Sequence, residues 1–259
     1  MISHKQWSTL FLLILISGCA HILHFPSYKP FSEKEIDYLI SSLKEQKENI
    51  SSFQGIGRLR YKDGDKESGS DLFVVGCRPS RIRLEITHSW GRPLFHIVVD
   101  KKNISALSLT DNKFFHGPLT PSNLRRFFNF DLEPDLAWEI FTGGIPILPY
   151  NKAVSLKGRE IMLYNIQNEV IEIISFSNED LLPSSVSFPK KGFNVILSKF
   201  KEDVLGGRPL NIKIVDSDKS RSLNISYKSL KFNQIVPEEV FQLNPPPDFE
   251  IIQLGHNDN

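Results

Sequence analysis

The side chains with the richest chemistry in this chain are two cysteines, Cys19 and Cys77, and seven histidines. Their spacing argues against a reaction centre. No histidines stand in a His-Glu-x-x-His pair, no Gly-x-Ser-x-Gly elbow presents a nucleophile, and there is no Cys-x-x-Cys. A phosphate-cradling Gly-x-x-x-x-Gly-Lys is missing as well. His88 and His96 flank a predicted hairpin tip and read as exposed or edge histidines. The carboxylates fall on predicted turns and helix surfaces, and no acid–base pair stands out. The sequence therefore predicts no catalytic residue, no metal site and no cofactor. Charges of both signs are mixed along the chain with no basic block, so no nucleic-acid surface is expected.

Cys19 is the residue whose surroundings point to a specific modification. Lys5 precedes an apolar run from Leu10 to Ile16. A membrane-spanning helix needs about 20 apolar residues; this run has the length of a signal-peptide core. Ile16-Ser17-Gly18-Cys19 then sets an aliphatic and two small residues before a cysteine, an order that resembles a bacterial lipobox. In such signals the thiol is diacylated, the chain is cut before the cysteine, and the new amine is acylated. The expectation is a signal peptide over 1–18, lipidation at Cys19 and a lipid-anchored tether over 19–31. Three acyl chains exceed the two anchoring signals that stable attachment requires, each buried methylene being worth about 0.8 kcal/mol. Removal of Lys5 with the signal takes the formal charge from +1 to zero. Cys77 is left as a free thiol or a small apolar residue, and no disulfide is predicted. Ala20 stands where enteric-type bacteria place Asp to retain a lipoprotein in the inner membrane, which points to the outer membrane, with the domain facing the periplasm. Pro26 and Pro30 favour an extended tether; at about 3.1 Å per residue it reaches roughly 30 Å.

The elements that would follow are mostly strands. With 259 residues, 40% of them hydrophobic, the chain can build one large β domain or two small ones. Ser32-x-x-Glu35 fits a capping box, and Ile36, Leu39, Ile40 and Leu43 follow at helical spacing. From Gly55 to Lys62 the pattern becomes β and ends at Asp63-Gly64, a hairpin signal. Leu72 to Cys77 is the next strand. The stretch from Arg81 to Val99 organises the rest. Ile82, Leu84 and Ile86 alternate strictly with charged and polar residues, the period of a half-buried strand. His88-Ser-Trp-Gly-Arg-Pro93 then suits a turn, and an apolar β run returns. This hairpin puts Trp90 at its tip, either folded back onto the sheet rim or reaching a membrane or partner, a setting that suits an amphipathic indole. Strands over 103–109 and 113–116 continue the meander.

A helical interlude breaks it. Thr120-Pro121-Ser122 starts one short helix carrying Leu124, Phe127 and Phe128, and Pro134 starts a second with Leu136, Trp138, Ile140 and Phe141, closed by Gly143-Gly144. These aromatic-rich pieces either plug a barrel or form a movable lid over an apolar cavity. Strands resume over 160–166, 170–176, 185–188 and 193–200, and around Leu210–Ile214 and Leu223–Tyr227, before a proline-rich end. One domain over 32–250, with a tail over 251–259, fits an antiparallel up-and-down sheet better than two domains.

The order of these features, with Gly55-x-Gly57-Arg58, the Ser89-Trp90-Gly91 tip and the Trp138 to Pro146 segment, resembles the LolB family of outer-membrane lipoproteins and, more broadly, the LolA/LolB-like fold. The resemblance runs from about Leu43 to Asn244. It implies a mainly β (α+β) fold: a half-open antiparallel β-barrel with a packing N-terminal helix and short lid helices. It also implies an apolar interior that holds acyl chains, with Leu124, Phe127, Phe128, Leu136, Trp138 and Ile140 as lid or cavity candidates. The family's exposed tip leucine, needed to put lipoproteins into the membrane, maps onto Trp90. The implied partners are a periplasmic, LolA-like lipoprotein carrier, acylated lipoproteins and the outer membrane, and the implied state is a monomer. Here Trp replaces Leu at the tip, no Pro precedes it, and Arg92 follows the glycine. The other reading is a lipid-binding or scaffold lipoprotein of the same fold in envelope biogenesis, without transfer activity.

Overall fold

The computed structural model describes residues 29–79, 81–130, 132–202 and 206–255. Cys19, the 1–18 signal and the tether up to residue 28 lie outside the described residues. Helix α1 (Glu33–Glu48) opens the described chain. The Glu35 carboxylate accepts from both the backbone N–H and the hydroxyl of Ser32, at 2.7 and 2.6 Å, closing the expected capping box. Ile36, Leu39, Ile40 and Leu43 enter the core. So does Phe31, which meets the Phe176 ring edge-on at 5.6 Å.

Six strands follow: β1 (Ser52–Asp63), β2 (Lys66–Cys77), β3 (Arg81–Thr87), β4 (Pro93–Asp100), β5 (Asn103–Ser108) and β6 (Lys113–Pro118). Helices α2 (Pro121–Phe128) and α3 (Pro134–Thr142) come next. Seven more strands then form β7 (Lys152–Val154), β8 (Glu160–Tyr164), β9 (Val170–Phe176), β10 (Pro183–Phe188), β11 (Phe193–Lys201), β12 (Arg208–Asp216) and β13 (Arg221–Phe232). A 3₁₀ turn (Glu238–Phe241) leads to β14 (Glu250–Gln253).

All the strands join one sheet in the order β14-β6-β5-β4-β3-β2-β1-β13-β12-β11-β10-β9-β8-β7. Two meanders therefore lie side by side, and β1 against β13 is the seam between them, running from Phe53–Phe232 to Asp63–Arg221. Every pairing is antiparallel except β14, which lies parallel to β6. The outermost strands, β14 and β7, do not pair, so the sheet is a half-open barrel, mainly β with three described helices.

The inner face is apolar because alternation holds on most strands. Phe53, Val74, Leu84, Ile97, Ile212 and Ile225 are buried there. Two glycines of β1 make room on it. A Cβ on Gly55 would lie 2.5 Å from the Tyr227 ring, and one on Gly57 would lie 2.3 Å from the Ser226 carbonyl, where the β1–β13 register shifts.

The boundaries differ from the expected ones where polar residues hide the pattern. β2 starts at Lys66, well before Leu72, because Ser68 and Ser70 occupy its inner-face positions opposite Tyr61 and Leu59. β7 and β14 are too short to alternate visibly.

Candidate functional site

The tip is built by β3 and β4. Within the turn the His88 N–H donates to Arg92 O and the Gly91 N–H to His88 O, both at 2.7 Å. Gly91 takes φ +87°, a left-handed value that glycine adopts at no steric cost. Trp90 is 75% exposed and stacks on the His88 ring at 3.5 Å, so it does not fold back onto the sheet rim. His96, on β4, is half-buried, and that burial holds its imidazole below the ordinary range; Arg83 adds to the effect and Glu85 opposes it.

The second candidate region lies under α2. Thr120 caps this helix, its hydroxyl accepting from the Asn123 N–H at 3.2 Å, and Pro121 supplies the first turn. The helix ends at Asn129 with φ +57°. The Asn123 side chain donates to Pro118 O at 2.9 Å and to Gly255 O at 3.1 Å, fixing the start. Only one side of the helix is buried, through Asn123, Leu124 and Phe128. Beneath it an apolar cavity of about 140 Å³ is lined by Phe127 and Phe128 from the helix and by Tyr61, Leu84, Ile86 and Ile97 from the sheet. Leu59, Asn129, Phe141 and Leu223 complete the wall. At the rim, Asn129 Nδ2 donates to the Tyr61 hydroxyl at 3.0 Å.

Helix α3 is placed differently. Every residue from Leu136 to Thr142 is buried. Trp138 sits edge-on to Phe53 at 5.0 Å with the Arg78 guanidinium 5.0 Å over its ring. Glu139 is only 2% exposed, with Lys47 at 3.1 Å and Arg78 at 3.7 Å. Burial raises the pKa of its carboxyl, opposed by Lys47, Arg78 and Arg208. The Tyr227 hydroxyl donates to Phe141 O at 2.9 Å. The chain beyond α3 is held by a second buried acid: Glu172 Oε2 accepts from the Leu148 N–H at 2.9 Å, and burial pushes its carboxyl up to about 8.

The residues singled out from sequence thus separate into three places. Trp90 is at the tip, Phe127 and Phe128 line the cavity, and Leu124, Leu136, Trp138 and Ile140 are packed into the core. Phe141 and the β-strand residues of the wall were not singled out. Leu84 and Ile86 did show the right alternation, but alternation does not say which face curves around a cavity. Among the described residues no three His, Cys, Asp or Glu side chains gather closely enough to hold a metal ion. Cys77 is a free, half-buried thiol.

No family model and no curated protein matches this chain. Solved structures do. A LolA superfamily protein from Nitrosomonas europaea superimposes with a TM-score of 0.54 at 15% identity, over 79% of this chain and 97% of that one. The fold is LolA-like. A domain from Vibrio parahaemolyticus, provisionally described as an outer membrane lipoprotein-sorting protein, shares the LolA-like fold with a TM-score of 0.52 at 10% identity, over 79% of this chain and 94% of that one. A DUF1329 family protein from Desulfovibrio piger does so with a TM-score of 0.52 at 7% identity, over 80% and 97%.

Proposed function

We propose that this chain is an outer-membrane lipoprotein, anchored through Cys19, that takes acylated lipoproteins from a periplasmic LolA-like carrier and inserts them into the bilayer. It works without catalysis. The observation that carries the reading is the apolar cavity between the inner sheet face and the half-exposed helix α2. The company this fold keeps supports it: one structural neighbour is a LolA superfamily protein and another is described as a lipoprotein-sorting domain.

On this reading the cavity's size sets how an acyl chain enters. About 140 Å³ is the room of an engineered cavity that takes up benzene, whereas pockets for whole ligands run to roughly 300–1,000 Å³. The structure is then a closed state, and an acyl chain enters by displacing α2 with Phe127 and Phe128. Each methylene leaving water gains about 0.8 kcal/mol in the cavity or the bilayer alike, so transfer runs downhill on small differences in fit. Trp90 brings the mouth to the membrane.

A transfer assay tests this. Cys19→Ala protein without its signal is mixed with carrier loaded with an acylated lipoprotein, then with liposomes. Cargo is expected to pass to the protein and onward, and Trp90→Glu to block the second step alone. Cargo that never leaves the carrier refutes the acceptor reading. A specific observation then favours the second reading, a lipid-binding or scaffold lipoprotein without transfer activity: every residue of α3 from Leu136 to Thr142 is buried, so that helix is a fixed part of the core. Absence of extractable lipid from the purified domain, with no uptake of an acyl probe, is the outcome expected of the scaffold.

A further inference from the structure

The outer face of the sheet is treated differently on its two sides. Over β3 it is covered by the C-terminal segment. Arg81 pairs with Glu238 at 3.3 Å and lies 5.0 Å from the Phe241 ring, and Arg83 donates to Val240 O and Gln242 O at 3.0 and 3.1 Å. Those cations are consumed by the fold. Across β2, β1, β13, β12 and β11 the outer face instead holds an open polar groove of about 460 Å³.

Cross-strand register makes this groove cationic. Arg58 pairs across the seam with Ser226, which pairs in turn with Asn211, and Arg60 likewise pairs with Asn224 and then Lys213. Lys199 lines the far side, exposed and without an ion-pair partner among the described residues. Its backbone is left-handed, φ +57°, a conformation uncommon for residues other than glycine. Asp71 at 3.6 Å and Glu67 at 3.1 Å are the acids set against Arg58 and Arg60, whose side chains remain 68% and 65% exposed. Exposed pairs of this kind are weak and exchange readily for other anions. The floor supplies neutral hydrogen-bonding groups: Ser226 Oγ donates to Asn211 Oδ1 at 2.7 Å, and Asn211 Nδ2 to Ser198 Oγ at 3.1 Å.

We propose that this groove seats the anionic headgroups of the bilayer that Trp90 contacts. The decisive juxtaposition is Ser89, which is the neighbour of Trp90 in the tip and also forms a wall of the groove. A Trp side chain settles at headgroup depth, so a cationic groove continuous with that loop meets phosphates there. An open groove across five strands suits a charged surface rather than one enclosed ion. The inference rests on the reading of Trp90 as a membrane-contacting tip, and the experiment separates the two.

The soluble Cys19→Ala mature chain is co-sedimented with phosphatidylcholine vesicles containing or lacking phosphatidylglycerol. Wild type is expected to favour the anionic vesicles, with the preference falling as salt rises. A cation near an anionic surface is worth about a fivefold gain, so Arg60→Gln with Lys199→Gln loses about twenty-fivefold on anionic vesicles and nothing on neutral ones. Asn224→Asp, which adds a carboxylate to the floor and removes no cation, moves binding in the same direction. Lys101→Gln with Lys102→Gln, away from the groove, leaves the preference intact. Trp90→Glu lowers binding to both vesicle types; if it does not, the tip reading falls while the groove variants still report on the groove. An unchanged preference in the groove variants, an equal loss in the Lys101/Lys102 control, or displacement of the protein by millimolar inorganic phosphate overturns the proposal.

Discussion

Helices α2 and α3 are neighbours in the chain, both start at a proline, and both carry aromatic residues to the same sheet face. Their attachments differ. α3 is buried from Leu136 onward, clamped by Glu139 to Lys47 and Arg78, and tied by the Tyr227 hydroxyl to Phe141 O. α2 buries one side, and its C-terminal end is held by the Asn129–Tyr61 bond and by Arg221 donating to Asn129 O at 3.1 Å. Similar residues can thus make a helix buried along its length or one buried on a single side, the distinction lying in how the C-terminal half of each is held. Asn123 fixes the start of α2, and the exposed ties at its C-terminal end make that end the one that opens at lower cost.

Trp138→Ala removes the ring packed between Phe53 and Arg78 and is expected to cost about 3–5 kcal/mol in denaturant unfolding. A loss near zero would mean that α3 is not the fixed element. Glu172 sharpens the same side through pH. Its folded pKa of about 8 lies above the ordinary 4.5. Its contribution is therefore complete below pH 4.5 and is lost as pH rises towards 8, at up to about 1.4 kcal/mol per pH unit. Glu172→Gln keeps an acceptor for the Leu148 N–H and cannot ionise. Its advantage over wild type should grow from pH 5 to pH 8 and then level off, and parallel stability curves would refute this.

The lid side predicts smaller effects. Phe127 is only partly buried, so Phe127→Ala should cost about 1–2 kcal/mol, while uptake of a fluorescent acyl probe changes far more than stability does. Tyr61→Phe removes one exposed hydrogen bond, worth about 1 kcal/mol or less. By hydrogen exchange it should speed the α2 amides and leave those of α3 unchanged. Equal acceleration in both helices would show that they open as one unit.

The sequence carried much of this fold in its alternation and punctuation. The Arg81–Val99 hairpin, the proline starts of α2 and α3, and the glycine end of α3 at Gly143 are all visible in residue types; the left-handed end of α2 at Asn129 was not read from them. Trp90 is exposed because it stands at the tip of a short turn and stacks on His88 instead of packing onto the sheet. Lid and plug could not be told apart, because amphipathic spacing describes a helix face and not the strength of its ties. The wall residues Leu84, Ile86 and Leu223 stayed unassigned because a strand's two faces become inside and outside only once the whole sheet curves. The outer-face groove is built by pairing of Arg58 and Arg60 with residues more than 150 positions away, and local pattern does not report such contacts.

The seam between β1 and β13 has a consequence for how the molecule comes into being. β1 is the first described strand to be synthesised and β13 nearly the last, so the first meander must wait with an open edge until most of the chain has been made. The β6 edge waits longer still, since β14 covers it only when the extreme C-terminal strand arrives. Such long-range pairing makes folding slow and leaves unpaired edges on display in the interval. A chain lacking β14 would present the β6 edge to other proteins, which makes that short strand a guard against aggregation as much as a part of the sheet.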